Sequence, residues 1–190
     1  MSRMDRIEVL NILKRHITRE IVVGVYSTGA DWLEVNDRPL NYFSVGAMGL
    51  GSSHGLGLAI ARPERKVVIL DGDGSLLMNL SGLVTVGKMA PKNYLHFVFK
   101  NATYEANGGH PIVNQDVDFE GVARAAHFPH TATVSDIAEF EKRLPDWLKQ
   151  DGPTFVCLEI AQGKIGPRPY DEMYKQSRRA ALREALDADA

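Results

Sequence analysis

Residues 67–104 read VVILDGDGSLLMNLSGLVTVGKMAPKNYLHFVFKNATY, and the order of patterns within them decides the fold. Val67–Leu70 and Tyr94–Phe99 are short apolar runs rich in β-branched and aromatic residues, which predicts two buried strands. Between them Leu76, Leu77, Leu80, Leu83, Val84 and Val86 recur at roughly helical spacing, so the unit is strand, helix, strand. Such a crossover makes its two strands parallel neighbours and brings their carboxyl ends to one edge of the sheet. Asp73 and Asn101, distant in sequence, are predicted to meet at that edge. Open α/β sheets bind ligands there.

The residue types at the meeting point suggest a chemistry. A carboxylate from Asp73, an amide oxygen from Asn101 and a nearby main-chain carbonyl form a hard oxygen site of the kind that suits magnesium when a phosphate completes its shell. Gly72 and Gly74 let the backbone turn tightly and approach a diphosphate. A helix beginning near Ser75 would offer free N–H groups to that anion. Gly-Asp-Gly is also an ordinary turn, and it is the whole constellation that favours a site.

Outward from this centre the same alternation continues. Residues 4–17 place Ile7, Leu10, Leu13 and Ile17 on one helical face. Glu20–Tyr26 reads as a strand with Ser27-Thr28-Gly29 at its carboxyl end, where Thr28 can face a ligand or, like Ser27, cap a helix. Trp32–Tyr42 looks irregular, and Asn41–Val45 reads as a strand leading into Gly46-Ala47-Met48-Gly49. The small residues of Leu50–Ala61 suit a helix in close contact with another surface. Further on, Phe119–His127 reads as a helix, His130–Val134 as a strand, Asp136–Leu148 as a helix capped by Ser135, and Thr154–Ile160 as a last buried strand. The prediction is a doubly wound α/β fold, a mainly parallel sheet with helices on both faces, forming one domain over residues 1–190 with 169–190 as a helical tail.

Composition narrows the classes. A chain of 190 residues, 44% of them hydrophobic, suffices for one packed α/β domain and not comfortably for two. A net charge of −2 gives no reason to expect nucleic acid or an anionic membrane as partner. The single cysteine, Cys157, excludes an internal disulfide or a cysteine-based metal cluster and fits a cytoplasmic setting. Met1–His16 is charged throughout, unlike a signal peptide, and no apolar run is long enough to span a membrane. The remaining histidines, His16, His54, His96, His127 and His130, show no metal-ligand spacing. A dinucleotide-binding domain would carry G-x-G-x-x-G after its first strand, and that motif is missing.

Gly72-Asp73-Gly74, twenty-six further residues and then Asn101 resemble the signature of thiamine diphosphate enzymes. SVGAMGLGSSHGLGLAIARPERKVVILDGDGSLLMNL and NATYEANGGHP are similar to the C-terminal half of phosphonopyruvate decarboxylases and to the separate beta subunit of sulfopyruvate decarboxylases, over about Ile21 to Arg168. The resemblance implies thiamine diphosphate and Mg²⁺ as cofactors. Asp73 and the side chain of Asn101 would hold the metal with the carbonyl of Thr103, and Gly72, Gly74, Ser75 and Tyr104 would line the diphosphate. Gly46, Ala47 and Met48 would hold the aminopyrimidine, Met48 as the apolar wedge under a bent cofactor, with Thr28 touching the cofactor from the first strand. A generic core methionine is the alternative for Met48. Lys100 stands where many relatives have a first asparagine.

Substrate contacts follow less closely. Gly108-Gly109-His110-Pro111 is similar to a Gly-Gly-Gln-Pro segment, so His110 could donate a proton or meet an anionic tail. Arg168, in Gly-Pro-Arg-Pro, could grip a sulfonate or phosphonate with its guanidinium fork, or be a surface arginine. The glutamate that activates the cofactor in this family lies on a separate pyrimidine-binding domain, for which residues 1–45 leave no room. The resemblance therefore implies the diphosphate-binding half of a 2-oxo acid decarboxylase. It would work with an alpha subunit in a hetero-oligomer built from dimers, joined near Gly49–Gly57. The implied substrate is a small 2-oxo acid, sulfopyruvate ahead of phosphonopyruvate. A decarboxylase of a different 2-oxo acid and a cofactor-binding but non-catalytic subunit that assembles a partner chain are the rival readings.

Overall fold

The structure is a computed structural model that describes residues 3–46 and 48–188. In chain order the elements are α1 (Arg6–His16), β1 (Ile21–Val25), α2 (Tyr26–Val35), β2 (Asn41–Ser44), α3 (Gly51–Ala61), β3 (Val67–Gly72), α4 (Asp73–Leu77) and α5 (Ser81–Met89). They continue with β4 (Tyr94–Lys100), β5 (Thr103–Tyr104), a 3₁₀ turn (Glu105–Asn107), β6 (His110–Pro111), α6 (Phe119–Ala125), β7 (His130–Val134), α7 (Ile137–Lys149), β8 (Thr154–Glu159), α8 (Tyr170–Tyr174) and α9 (Gln176–Asp187). Six strands form one sheet in the order β2-β1-β3-β4-β8-β7, every neighbouring pair parallel. β5 and β6 form a separate antiparallel hairpin.

Alternate residues of each strand feed opposite cores, as the pleat requires. Val22, Val68, Leu70, Leu95, Phe97, Val156 and Leu158 meet Leu10 and Leu13 of α1, Trp32 of α2, and Phe140, Leu144 and Trp147 of α7. Ile21, Val23, Val67, Ile69, Val98 and Phe155 meet Leu56 of α3, Leu76 of α4, Leu83 and Val86 of α5, and Phe119 of α6. Because both faces are covered, the strands read as continuous apolar runs. The chain leaves β1 toward β2 on one side and returns to β3 on the other, so the carboxyl ends of β1 and β3 flank a switch point.

Several local expectations need correction. The stretch 26–35 is helical where irregular structure was predicted from Trp32 onward. Residues Ser27–Leu33 are all buried, so α2 shows no amphipathic stripe to detect, and the Trp32 indole N–H bonds the Asn41 side chain at 2.9 Å. Ser27 and Thr28 do not cap α2, whose N-cap is Val25 with no side-chain bond. The expected single helix after Asp73 starts at Asp73 rather than near Ser75, and breaks between α4 and α5 where Gly49 packs against Met78 and Asn79. α7 is capped by Asp136, which accepts from Glu139 N–H, and not by Ser135. Ile7 is exposed while Leu10, Leu13 and Ile17 are buried. The glycine-rich face of α3 is turned inward: a Cβ at Gly55 would lie 2.5 Å from Ile69.

Candidate functional site

A cleft at the switch point is lined by Thr28 after β1, Met48, Gly72–Ser75 after β3, and Asn101, Thr103 and Tyr104 after β4. Nine of the residues expected from sequence thus converge. Ala47 lies outside the described residues, and Gly46 is exposed with its N–H bonded to the Tyr26 hydroxyl at 3.1 Å. Close approach holds the first wall in place, since a Cβ on Gly24 of β1 would sit 2.7 Å from Gly29 of α2. The Met48 loop is tied to the third wall by Gly49 N–H donating to Ser75 Oγ at 3.1 Å.

Asp73 is 1% exposed and sits at the centre. One carboxylate oxygen accepts from Gly74 N–H at 2.8 Å and the other from Ala102 N–H at 2.6 Å. Burial pushes its pKa up to about 6, against the downward pull of backbone N–H groups of Ala102, Gly74 and Asn101. Among the described residues no basic side chain pairs with it, and the nearby charge that acts on it is Glu105, another carboxylate. A buried anion without a cation is costly, and this corner of the cleft is short of one positive charge. The oxygens of Asp73, Asn101 and Thr103 fit a hard divalent ion that takes its remaining ligands from phosphate and water. Among the described residues no group of three His, Cys, Asp or Glu gathers to hold a metal in another way.

Backbone strain collects here too. Ala102 (φ 66°) and Tyr26 (φ 43°) adopt the left-handed region that non-glycine residues avoid. The Ala102 turn is what delivers its N–H to Asp73. Beyond it the β5–β6 hairpin folds Tyr104 over the glycine loop, its ring so close that a Cβ on Gly74 would lie 2.5 Å from it.

Three sequence candidates fall elsewhere. His110 is exposed on β6 opposite Tyr104, outside the cleft lining. Arg168 pairs with buried Asp31 and donates to the Lys164 carbonyl at 2.7 Å, so its fork is already engaged. Lys100 donates to the Val117 carbonyl at 3.3 Å rather than entering the cleft. Conversely Arg6 and Glu105 line the cleft and were missed: Arg6 lies in the first helix with no local motif to mark it. A larger surface hollow of about 740 Å³ lies along α9 between Arg179, Arg183, Glu184 and Asp187. It is an open flank of one helix and holds none of the residues expected from sequence to form a site.

Residues 23–158 match the family model described as thiamine pyrophosphate enzyme, C-terminal TPP binding domain. The chain belongs to the thiamine pyrophosphate enzymes. It is 35% identical over 170 residues to sulfopyruvate decarboxylase subunit beta of Methanocaldococcus jannaschii, covering 88% of this chain and 86% of that one. It is 36% identical over 167 residues to phosphonopyruvate decarboxylase of Streptomyces viridochromogenes, where the match covers 86% of this chain and only 42% of the relative. The chain thus spans about two fifths of that enzyme. The thiamine diphosphate-dependent 4-hydroxybenzoylformate decarboxylase of Rhodococcus jostii RHA1 superposes with a TM-score of 0.73 at 18% identity, over 86% of this chain and 34% of that one, which shows the shared fold. Among the described residues no helix is long and apolar enough to cross a membrane.

Proposed function

We propose that the chain is the diphosphate-binding subunit of a thiamine diphosphate- and Mg²⁺-dependent 2-oxo acid decarboxylase, acting on sulfopyruvate in preference to phosphonopyruvate. The observation that carries the reading is Asp73, a buried carboxylate with no basic partner among the described residues, brought beside Asn101 and Thr103 at the switch point. Asp73, the Asn101 amide oxygen and the Thr103 carbonyl would hold the metal. Gly72, Gly74 and Ser75 would face the diphosphate, and Thr28 and Met48 the rest of the cofactor. Bound there, thiamine diphosphate would supply the electron sink needed for loss of carbon dioxide from a 2-oxo acid. Tyr104 and Thr28 would screen the cofactor's flanks from water.

A second chain completes the reading. The cleft encloses about 40 Å³, far below the roughly 300 Å³ or more of ordinary cofactor pockets, so a further surface is needed to enclose the reacting end. Ile60 on α3, Met78 beyond α4, and Val84 and Met89 on α5 are large exposed apolar side chains. α3 and α5 pack together, and this side suits an alpha-type partner carrying the pyrimidine-binding domain. The 86% coverage of a relative named as a subunit, against 42% of the longer decarboxylase, favours sulfopyruvate as substrate. Arg168, engaged by Asp31, serves this reading through the scaffold rather than as a free anion fork.

The test is recovery of the chain with its native partners, followed by decarboxylation assays on a panel of 2-oxo acids with cofactor and Mg²⁺ added. Turnover of sulfopyruvate by a complex of two comparable chains is expected. Cofactor binding with no turnover of any 2-oxo acid would favour the non-catalytic reading instead.

A further inference from the structure

A chain of alternating buried charges runs from the C-terminal segment to the cleft. Arg168 pairs with Asp31, and Asp31 accepts from Arg6 Nε at 2.7 Å. Arg6 Nη2 reaches Glu105 at 2.6 Å, and the other oxygen of Glu105 accepts from Asn101 Nδ2 at 2.7 Å and from Gly163 N–H at 2.6 Å. Arg6, Asp31, Glu105 and Asn101 are each at most 7% exposed. Buried ion pairs seldom stabilise a fold more than apolar side chains of the same volume would, so their presence invites a reading in terms of orientation.

We propose that Glu105, held by Arg6, is a positioning residue that turns the amide of Asn101 so that its oxygen is offered to the metal. The inference rests on Asn101 being a metal ligand, as read above. The argument is one of donors and acceptors. A carboxylate only accepts, so the Asn101 atom facing Glu105 must be the NH₂ group. That leaves the amide oxygen on the side of Thr103, whose N–H and hydroxyl reach it at 2.8 and 3.1 Å and which itself lines the cleft. Thr103 N–H holds the oxygen from one side and Glu105 holds the nitrogen from the other, so without the carboxylate the buried NH₂ would lack an acceptor and the amide would no longer be fixed at both ends. Arg6, donating to the far oxygen of Glu105, prevents the carboxylate from swinging away.

Glu105→Gln changes almost no volume but reverses this logic. Arg6 on one side, and Asn101 NH₂ with Gly163 N–H on the other, then compete for a single amide oxygen, and whenever that oxygen turns to Arg6 the Asn101 amide loses the acceptor that holds it. Mg²⁺ titration calorimetry on the full chain with saturating thiamine diphosphate, assembled with its partner, should show affinity reduced by about tenfold or more. Replacing Arg6 as well (R6M/E105Q) frees the glutamine to present its oxygen to Asn101, and Mg²⁺ affinity should return toward the wild-type value. A role confined to stability predicts the opposite, with the double variant worse than the single. If E105Q fails to fold, R6M/E105Q is compared with R6M/E105L, whose leucine gives Asn101 no acceptor and should bind Mg²⁺ about tenfold more weakly. The proposal is overturned if E105Q binds Mg²⁺ as the wild type does, if the double variant is weaker than E105Q, or if the glutamine and leucine doubles bind alike. Wild-type chain that shows no Mg²⁺-dependent cofactor binding would refute the metal site itself, and the proposal with it.

Discussion

Asp73→Asn separates the electrostatic state of the site from its function. Burial holds the Asp73 carboxyl at about 6, against an ordinary value of 3.8. The folded state thus binds the proton more tightly than the unfolded state, and the stabilisation this provides is complete below about pH 3.8 and lost as pH rises through about 6. Between pH 5 and pH 7.5 the loss attributable to this one group is about 1.4 kcal/mol. Asparagine does not titrate, so the variant lacks this slope. It carries a separate, pH-independent cost of about 1–3 kcal/mol, because its NH₂ group must face one of the two N–H donors now satisfied by Asp73. Other groups titrate alike in both proteins, so the difference between the two isolates Asp73. Urea unfolding of both proteins in chelating buffer at pH 5 and pH 7.5 measures it directly. The gap between wild type and variant should narrow by about 1.4 kcal/mol toward pH 7.5. Adding Mg²⁺ and thiamine diphosphate at pH 7.5 should then stabilise the wild type alone. Parallel pH profiles would show that the carboxylate is not destabilised by its surroundings, and equal stabilisation by cofactor would remove Asp73 from the metal site.

The other predictions concern the walls of the same cleft. Met48→Ala should lower turnover more than cofactor affinity, measured as kcat against Kd, because in the proposed site the side chain would shape the bound cofactor rather than anchor its diphosphate; an equal loss of affinity would make it ordinary core. Gly74→Ala would place a methyl 2.5 Å from the Tyr104 ring, so cofactor affinity should fall, and Tyr104→Ala in the same chain should recover part of it in the same titration. Ala102→Gly should relieve the left-handed strain at φ 66° and raise the unfolding free energy by about 1 kcal/mol, with Mg²⁺ binding retained. Cys157, whose thiol burial pushes up to about 12, should resist a thiol reagent at pH 8 until denaturant opens the sheet, with labelling tracking global unfolding.

What could be read from the chain alone follows from where information is local. Val67–Gly72 and Tyr94–Lys100 announce themselves as buried parallel strands, and the crossover rule then forces Asp73 and Asn101 to one edge without any coordinates. The family motif, confined to short segments after β1, β3 and β4, is local in the same sense. Tertiary context decided the rest. α2 is buried from Ser27 through Leu33 and so has no periodic face there, and the break between α4 and α5 lies where Gly49 packs against Met78 and Asn79, from a loop more than twenty residues upstream. The use of Arg168 was undecidable from its neighbours, because its partner Asp31 lies 137 positions away. Arg6 and Glu105 are separated by 99 positions and carry no shared pattern. Sequence by itself determined which residues reach the sheet edge where we propose a metal and diphosphate site. Only the folded chain determined which buried charges stand behind them, because an ion pair is specified by proximity in space and leaves no periodicity behind.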